Sequence, residues 1–218
     1  MKDPMPDKFK FIGGHPALDF INTVGGRVDG GGGRDYSIRS DKLADPVDLI
    51  SWGTKGGFLT ADETAELLRA AEENPEAAKK VLKKALALRE LLYRLFKAAI
   101  EKREPDPKDL ANFNGELLTA RKHERLKHAG DGFAWVWTEA APAALLWMIT
   151  RSAAELLTSD MPAKIGQCGG PECRWLFLDE SRARNRQWCV MKDCGNVAKV
   201  RRFRTRRALR QNSENGAS

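Results

Sequence analysis

The chain has 218 residues, 42% of them hydrophobic, enough for one core and a small appended module. No apolar run approaches eighteen residues, so no membrane span is expected, and Met1 to Lys10 lacks the apolar stretch of a secretion signal. The net charge of +7 is uneven: Lys164 to Arg210 carries thirteen Lys and Arg against four Asp and Glu, a surplus of nine, which leaves the remainder at −2. A near-neutral body with a cationic C-terminal portion is the electrostatic footprint of a nucleic-acid binder; a solvated basic face or contact with an acidic protein are the other readings.

Residues 1–13 read as a frayed lead-in. Leu18 to Val24 reads as a buried short helix or strand, too short for periodicity to decide. Asp19, Asn22 and Thr23 are polar groups inside that apolar run, and buried polar groups must be satisfied. Either they tie down the following loop or they line a small-molecule pocket. Gly25 to Arg34 holds six glycines in ten residues, a loop able to close over such a pocket. It lacks the Gly-Lys-Ser/Thr ending of a phosphate-binding loop.

Helices follow. Asp45-Pro46 has cap and first-turn chemistry and opens a helix through Trp52. Thr60-Ala-Asp-Glu63 is a capping box for a helix to about Glu73. Asn74-Pro75 starts the longest helix, to about Lys102, with Ala78, Val81, Leu82, Ala85, Leu88, Leu92, Leu95, Phe96 and Ala99 as its core stripe. Arg89 and Glu90 within it read as exposed charges; a buried Arg89 facing a carboxylate would instead mark a ligand site. Asp106-Pro107 begins another helix, ending near Lys122. Alternation around Asp131-Gly132 suggests a β-hairpin over 124–138, and 139–158 a helix interrupted near Pro142.

All four cysteines lie in two pairs, Cys168-Gly-Gly-Pro-Glu-Cys173 and Cys189-Val-Met-Lys-Asp-Cys194. Such a spacing lets two tight turns aim four thiolates at one point, the donor set and number of a structural zinc site. The alternatives are two disulfides, which need an oxidising compartment that nothing else indicates, or four unrelated thiols. Between the pairs, Arg174 to Leu178 is a short strand candidate and Asp179 to Arg186 a basic loop. Asn196 is a candidate N-cap for a helix through Arg210, with Val197, Val200 and Phe203 on one face and Lys199, Arg201, Arg202, Arg204 and Arg206 crowding the rest. Trp175, Trp188 and Phe203 are expected to pack this small module.

The run Cys168…Cys173-Arg-Trp-Leu-Phe-Leu-Asp179-Glu-Ser181-Arg182…Arg186-Gln-Trp188-Cys189-Val-Met191…Cys194-Gly195-Asn196…Lys199 resembles the CGNR-type zinc finger. The family's tetrapeptide ends in Arg, where Val197 stands here. Residues 14–160 resemble the ABATE-type domain that usually precedes this finger, through Leu18-Asp-Phe-Ile-Asn-Thr23, Leu49-Ile-Ser-Trp52, Leu88-Arg-Glu-Leu91 and Asp109-Leu110…Phe113-Asn114. Such proteins are described as stress-induced transcription regulators.

The expectation is therefore a mainly α N-terminal domain with a minor β-hairpin, 14–160, and a C-terminal four-cysteine zinc finger, 164–210, built of a knuckle, short strands, a second knuckle and a basic helix. Cys168, Cys173, Cys189 and Cys194 would hold one structural zinc ion. Duplex DNA is the expected partner, met by Arg182, Arg184, Arg186, Lys199, Arg201, Arg202 and Arg204; RNA or an acidic protein are the alternatives. The N-terminal domain would sense a small molecule near Asp19, Asn22 and Thr23, or mediate assembly into an oligomer. Reduced cysteines imply a cytoplasmic protein. No residue set argues for catalysis: His123 and His128 are one residue too far apart for the zinc-protease helix motif, and no nucleophile elbow or dinucleotide fingerprint occurs.

Overall fold

In the computed structural model, which describes residues 8–29, 36–137 and 143–215, the chain winds around one short helix. This helix, α1 (Pro16–Ile21), is buried at Ala17 through Ile21 and packs on elements from the middle and the C-terminal part of the sequence. Pro16 supplies its first turn, and the His15 imidazole accepts from the Ala17 N–H. The described part of the lead-in, from residue 8, is packed and not frayed. Phe9 is buried in the main core, while Lys8 and Lys10 pair with Asp48 and Asp193.

The helical frame follows the caps. Asp45 and Asp48 exchange backbone and side-chain bonds at the start of α2 (Pro46–Lys55), as do Thr60 and Glu63 at α3 (Ala61–Glu73). Asn74 caps α4 (Pro75–Ile100) and Asp106 caps α5 (Pro107–Lys122). Helix α4 buries Ala78, Leu82, Ala85, Leu88, Leu92, Leu95 and Phe96 from the expected stripe, and Leu91, Tyr93 and Ala98 besides; Val81 and Ala99 stay half-buried. Helix α6 (Ala144–Thr158) packs beside α1 and α5, and the expected interruption near Pro142 lies outside the described residues.

Among the described residues, three antiparallel strand pairs complete the fold. Strands β1 (Arg27–Asp29) and β2 (Tyr36–Ile38) pair Val28 with Ser37. Gly30 to Gly33, the tip of the proposed lid, lie outside the described residues. Strands β3 (Glu124–Ala129) and β4 (Gly132–Trp137) are joined through Gly130-Asp131, where Gly130 takes φ 58°. Thus Gly130, rather than Gly132, supplies the positive φ of this turn.

Strand β5 (Ile165–Gln167) pairs with β6 (Leu176–Leu178), and the loop between them is the first cysteine knuckle. The other edge of β6 is closed without a third strand. The Asn22 amide donates to Leu176 O at 2.8 Å and accepts from Leu176 N at 3.0 Å. Leu178 N–H donates to Gly13 O at 2.8 Å. Ile165, Leu176 and Leu178 thereby join the main core with α1, α4 and α6. Hydrophobic burial and edge hydrogen bonds both run between the N-terminal segment and the cysteine-bearing hairpin.

Candidate metal centre and adjoining groove

The four cysteine sulfurs lie within 4.8 Å of one another, with Cys173–Cys189 and Cys189–Cys194 both at 3.6 Å. A disulfide would need about 2.05 Å. Zinc bound at about 2.3 Å in a tetrahedron needs edges of about 3.8 Å, so the separations fit a metal and not S–S bonds. Backbone geometry sets them. Cys173 N–H closes a turn on Gly170 O, Cys168 N–H bonds Trp175 O, and Gly195 N–H returns to Val190 O across one wide turn, 191–195. A β-carbon at Gly170 would stand 3.1 Å from Cys173 Cβ, so a side chain there would press on the ligand turn.

The electrostatics also call for a cation. Hydrogen bonds from Cys173 and Cys189 hold the Cys168 thiol far below its usual value, at about 2. The same proximity pushes Cys173 up to about 12 and raises Cys189 further. Burial raises Cys194. One thiolate forms readily, while hydrogen bonds between the sulfurs and burial keep protons on the others; a bound metal displaces those protons. One zinc ion held by Cys168, Cys173, Cys189 and Cys194 completes this site. With four protein ligands the shell is closed to water, and the ion's role is structural.

The centre is tied to the N-terminal domain. Arg27 N–H donates to Cys173 O at 3.1 Å, Trp175 Nε1 donates to Val24 O at 3.0 Å, and Lys42 lies 4.5 Å over the Trp175 ring. Val24, Ile12 and Ile38 share an apolar cluster with Cys168, Cys189 and Phe177.

The expected phosphate-contacting residues divide into three groups. Arg201 and Arg202 line a groove of about 1200 Å³ beside the zinc site, with Trp188 in its wall. Lys199 and Arg204 are exposed elsewhere on the terminal helix, α7 (Asn196–Asn215). Arg182 and Arg184 border a separate hollow with Lys164 and Asp179. Arg186 has a different task from the one expected. Its guanidinium donates to Cys189 O, Leu178 O and Trp188 O and lies 4.1 Å from the Phe177 ring. It braces the finger, as does Asp179, which accepts from Ser181 and from Arg186 N–H. Sequence reasoning missed Lys10, Arg39 and Lys192, which also line the groove. Lys10 and Arg39 come from the N-terminal domain and pair with Asp193 and Glu172, contacts with no local sequence signal.

Two further expectations are corrected. Phe203 is 67% exposed, and Val197 and Val200 are exposed as well, so the apolar side of α7 packs nothing in the described module. Trp175 is buried as expected. Asn196 has helical backbone angles and its amide donates to Lys192 O, so it continues the preceding turn and is not an N-cap. Val197, at the place of the family arginine, leaves the four ligands untouched.

The polar residues of the N-terminal run serve the backbone. Asp19 accepts from Gly13 N–H at 2.7 Å, Asn22 closes the β6 edge, and Thr23 donates to Phe20 O at 2.7 Å. Burial pushes the Asp19 carboxyl up to about 6. These bonds match the other reading of the three residues, that they tie down neighbouring backbone. Arg89 is not exposed, as expected, but 1% accessible. It forms a bidentate pair with Asp41 at 2.8 and 2.6 Å and donates Nε to Glu90. This is the buried arginine facing a carboxylate named above as the alternative to an exposed charge; Asp41, Glu90 and the Thr23 hydroxyl are the partners its guanidinium meets. Arg27, fully buried, stacks 4.0 Å from the Tyr93 ring and reaches Glu90 and Ile21 O.

A family model described as "Putative stress-induced transcription regulator" (ABATE) matches residues 14–160, and the CGNR zinc finger model matches residues 164–207. The first spans more than half of the chain, so the chain belongs to the ABATE family and carries a CGNR zinc finger at its C-terminal side. No curated protein matches it. No helix among the described residues is long and apolar enough to cross a membrane.

Proposed function

We propose that this chain is a transcription regulator that binds duplex DNA through its zinc module. The groove carries the reading. Lys10, Arg39, Lys192, Arg201 and Arg202 meet there around only two carboxylates, Glu172 and Asp193, on a platform that zinc fixes. Lys199, Arg204 and Arg206 extend the positive surface along α7. Phosphate attraction supplies most of such affinity, and bidentate arginine contacts to guanine add base discrimination of about 1–3 kcal/mol. When bound, zinc supplies only the cross-link that holds the two knuckles together. The N-terminal domain fixes the orientation of that platform through the Asn22–Leu176, Arg27–Cys173 and Lys10–Asp193 contacts. The test is competition between a duplex and its separated strands for the zinc-loaded protein at low salt. Preference for the duplex supports the reading. Preference for single strands points to RNA-like recognition by stacking, and binding to neither assigns the basic face to an acidic protein.

A further inference from the structure

We infer that α7 enters the DNA major groove, an inference that rests on the duplex-binding reading above. Helix α7 projects from the protein. Every residue from Arg201 to Arg207 is exposed, and the element it packs on closely is the turn just before it. A 20-residue helix spans about 30 Å and, with side chains, is about 10–12 Å wide. The major groove is about 12 Å wide and admits such a rod; the minor groove, about 6 Å wide, does not.

The charge pattern selects the occupant. At about 100° per residue, Lys199, Arg201, Arg202, Arg204, Arg206 and Arg207 point all around the axis, with no gap between neighbouring cations above about 100°. A helix lying on a membrane surface segregates its cations to one face and its apolar residues to the other. Here Arg204 and Arg207 interrupt the Val197–Val200–Phe203 side. A rod flanked by phosphate walls on both sides needs cations on both flanks. The exposed Val200 and Phe203 can then reach base edges, where a thymine methyl offers an apolar contact.

The experiment needs no knowledge of the preferred sequence. Zinc-loaded full-length protein is titrated with three forms of one long duplex: unmodified, with the major groove filled by glucosylated hydroxymethylcytosine, and saturated with the minor-groove ligand netropsin. Glucosylation should weaken binding at least about tenfold, while netropsin should change it by no more than about twofold. Equal binding to the first two forms, or loss only with netropsin, overturns the placement of α7 and leaves duplex binding standing. Failure to bind even the unmodified duplex sinks the duplex reading, and this inference with it.

Discussion

Replacing Gly26 by Ala tests how the N-terminal domain and the zinc site are joined. Gly26 has φ 151°, and a β-carbon there would stand 1.9 Å from Glu172 O and 3.0 Å from Glu172 C. Since real β-carbons essentially never come closer than 3.0 Å to another atom, one backbone must retreat by at least about 1 Å. That shift pulls apart the adjacent Arg27 N–Cys173 O bond, now 3.1 Å. Losing a buried backbone bond costs about 1–3 kcal/mol, and a side chain at such a φ adds about 1–3 kcal/mol. A total near 3 kcal/mol or above lowers Tm by about 6–12 °C in a chain of this size. Because Cys173 is a zinc ligand, zinc affinity measured by chelator competition should fall as well. Gly57→Ala is the control: φ is 72° there but nothing lies within 4 Å of the added carbon, so strain acts alone. Gly26→Ala matching the control in Tm and the wild type in zinc affinity would refute the junction.

Other outcomes follow from the same contacts. Elemental analysis of reduced protein should give one zinc per chain, and Cys194→Ser should lower the melting of the whole protein in one transition, since Ile165, Leu176 and Leu178 sit in the main core; a separate, unshifted helical transition would contradict this. Arg186→Met should cost about 2–3 kcal/mol by stranding the carbonyls of Leu178, Trp188 and Cys189, whereas Arg201→Ala with Arg202→Ala should leave Tm unchanged. Asp19 titrates near 6 in the fold and near 3.9 unfolded, so the folded state keeps its proton longer. Its contribution is full below about pH 4 and is lost as pH rises through about 6, by up to about 3 kcal/mol. Asp19→Asn should therefore gain on the wild type by that order between pH 4 and pH 7 in denaturant titrations, and a constant difference would show that Asp19 does not titrate high.

The caps made the helical frame legible: Asp45, Thr60, Asn74 and Asp106 each begin a helix where the sequence places one. Paired cysteine spacing likewise gave the metal cluster, because two short turns suffice to bring each pair together. What stayed hidden depends on distant partners. Nothing near Asn22 announces that its amide closes the edge of β6, 154 residues away. Arg186 sits in a basic run and looks like its neighbours, yet four carbonyls and the Phe177 ring lie against it. Arg89 looks like a surface charge until Asp41 is brought against it. Phe203 is expected from the sequence to pack the module, but periodicity places it on one side of α7 with Val197 and Val200 without saying what covers that side.

The most direct measurement is duplex affinity against salt, from about 50 to 200 mM, for zinc-loaded wild type and for Arg201→Ala with Arg202→Ala. With about five phosphates neutralised, log Kd against log salt should change with a slope of magnitude about 4–5, and the double variant should lose up to about 2 of it. A salt-independent affinity, or a double variant with the wild-type slope, would contradict the account.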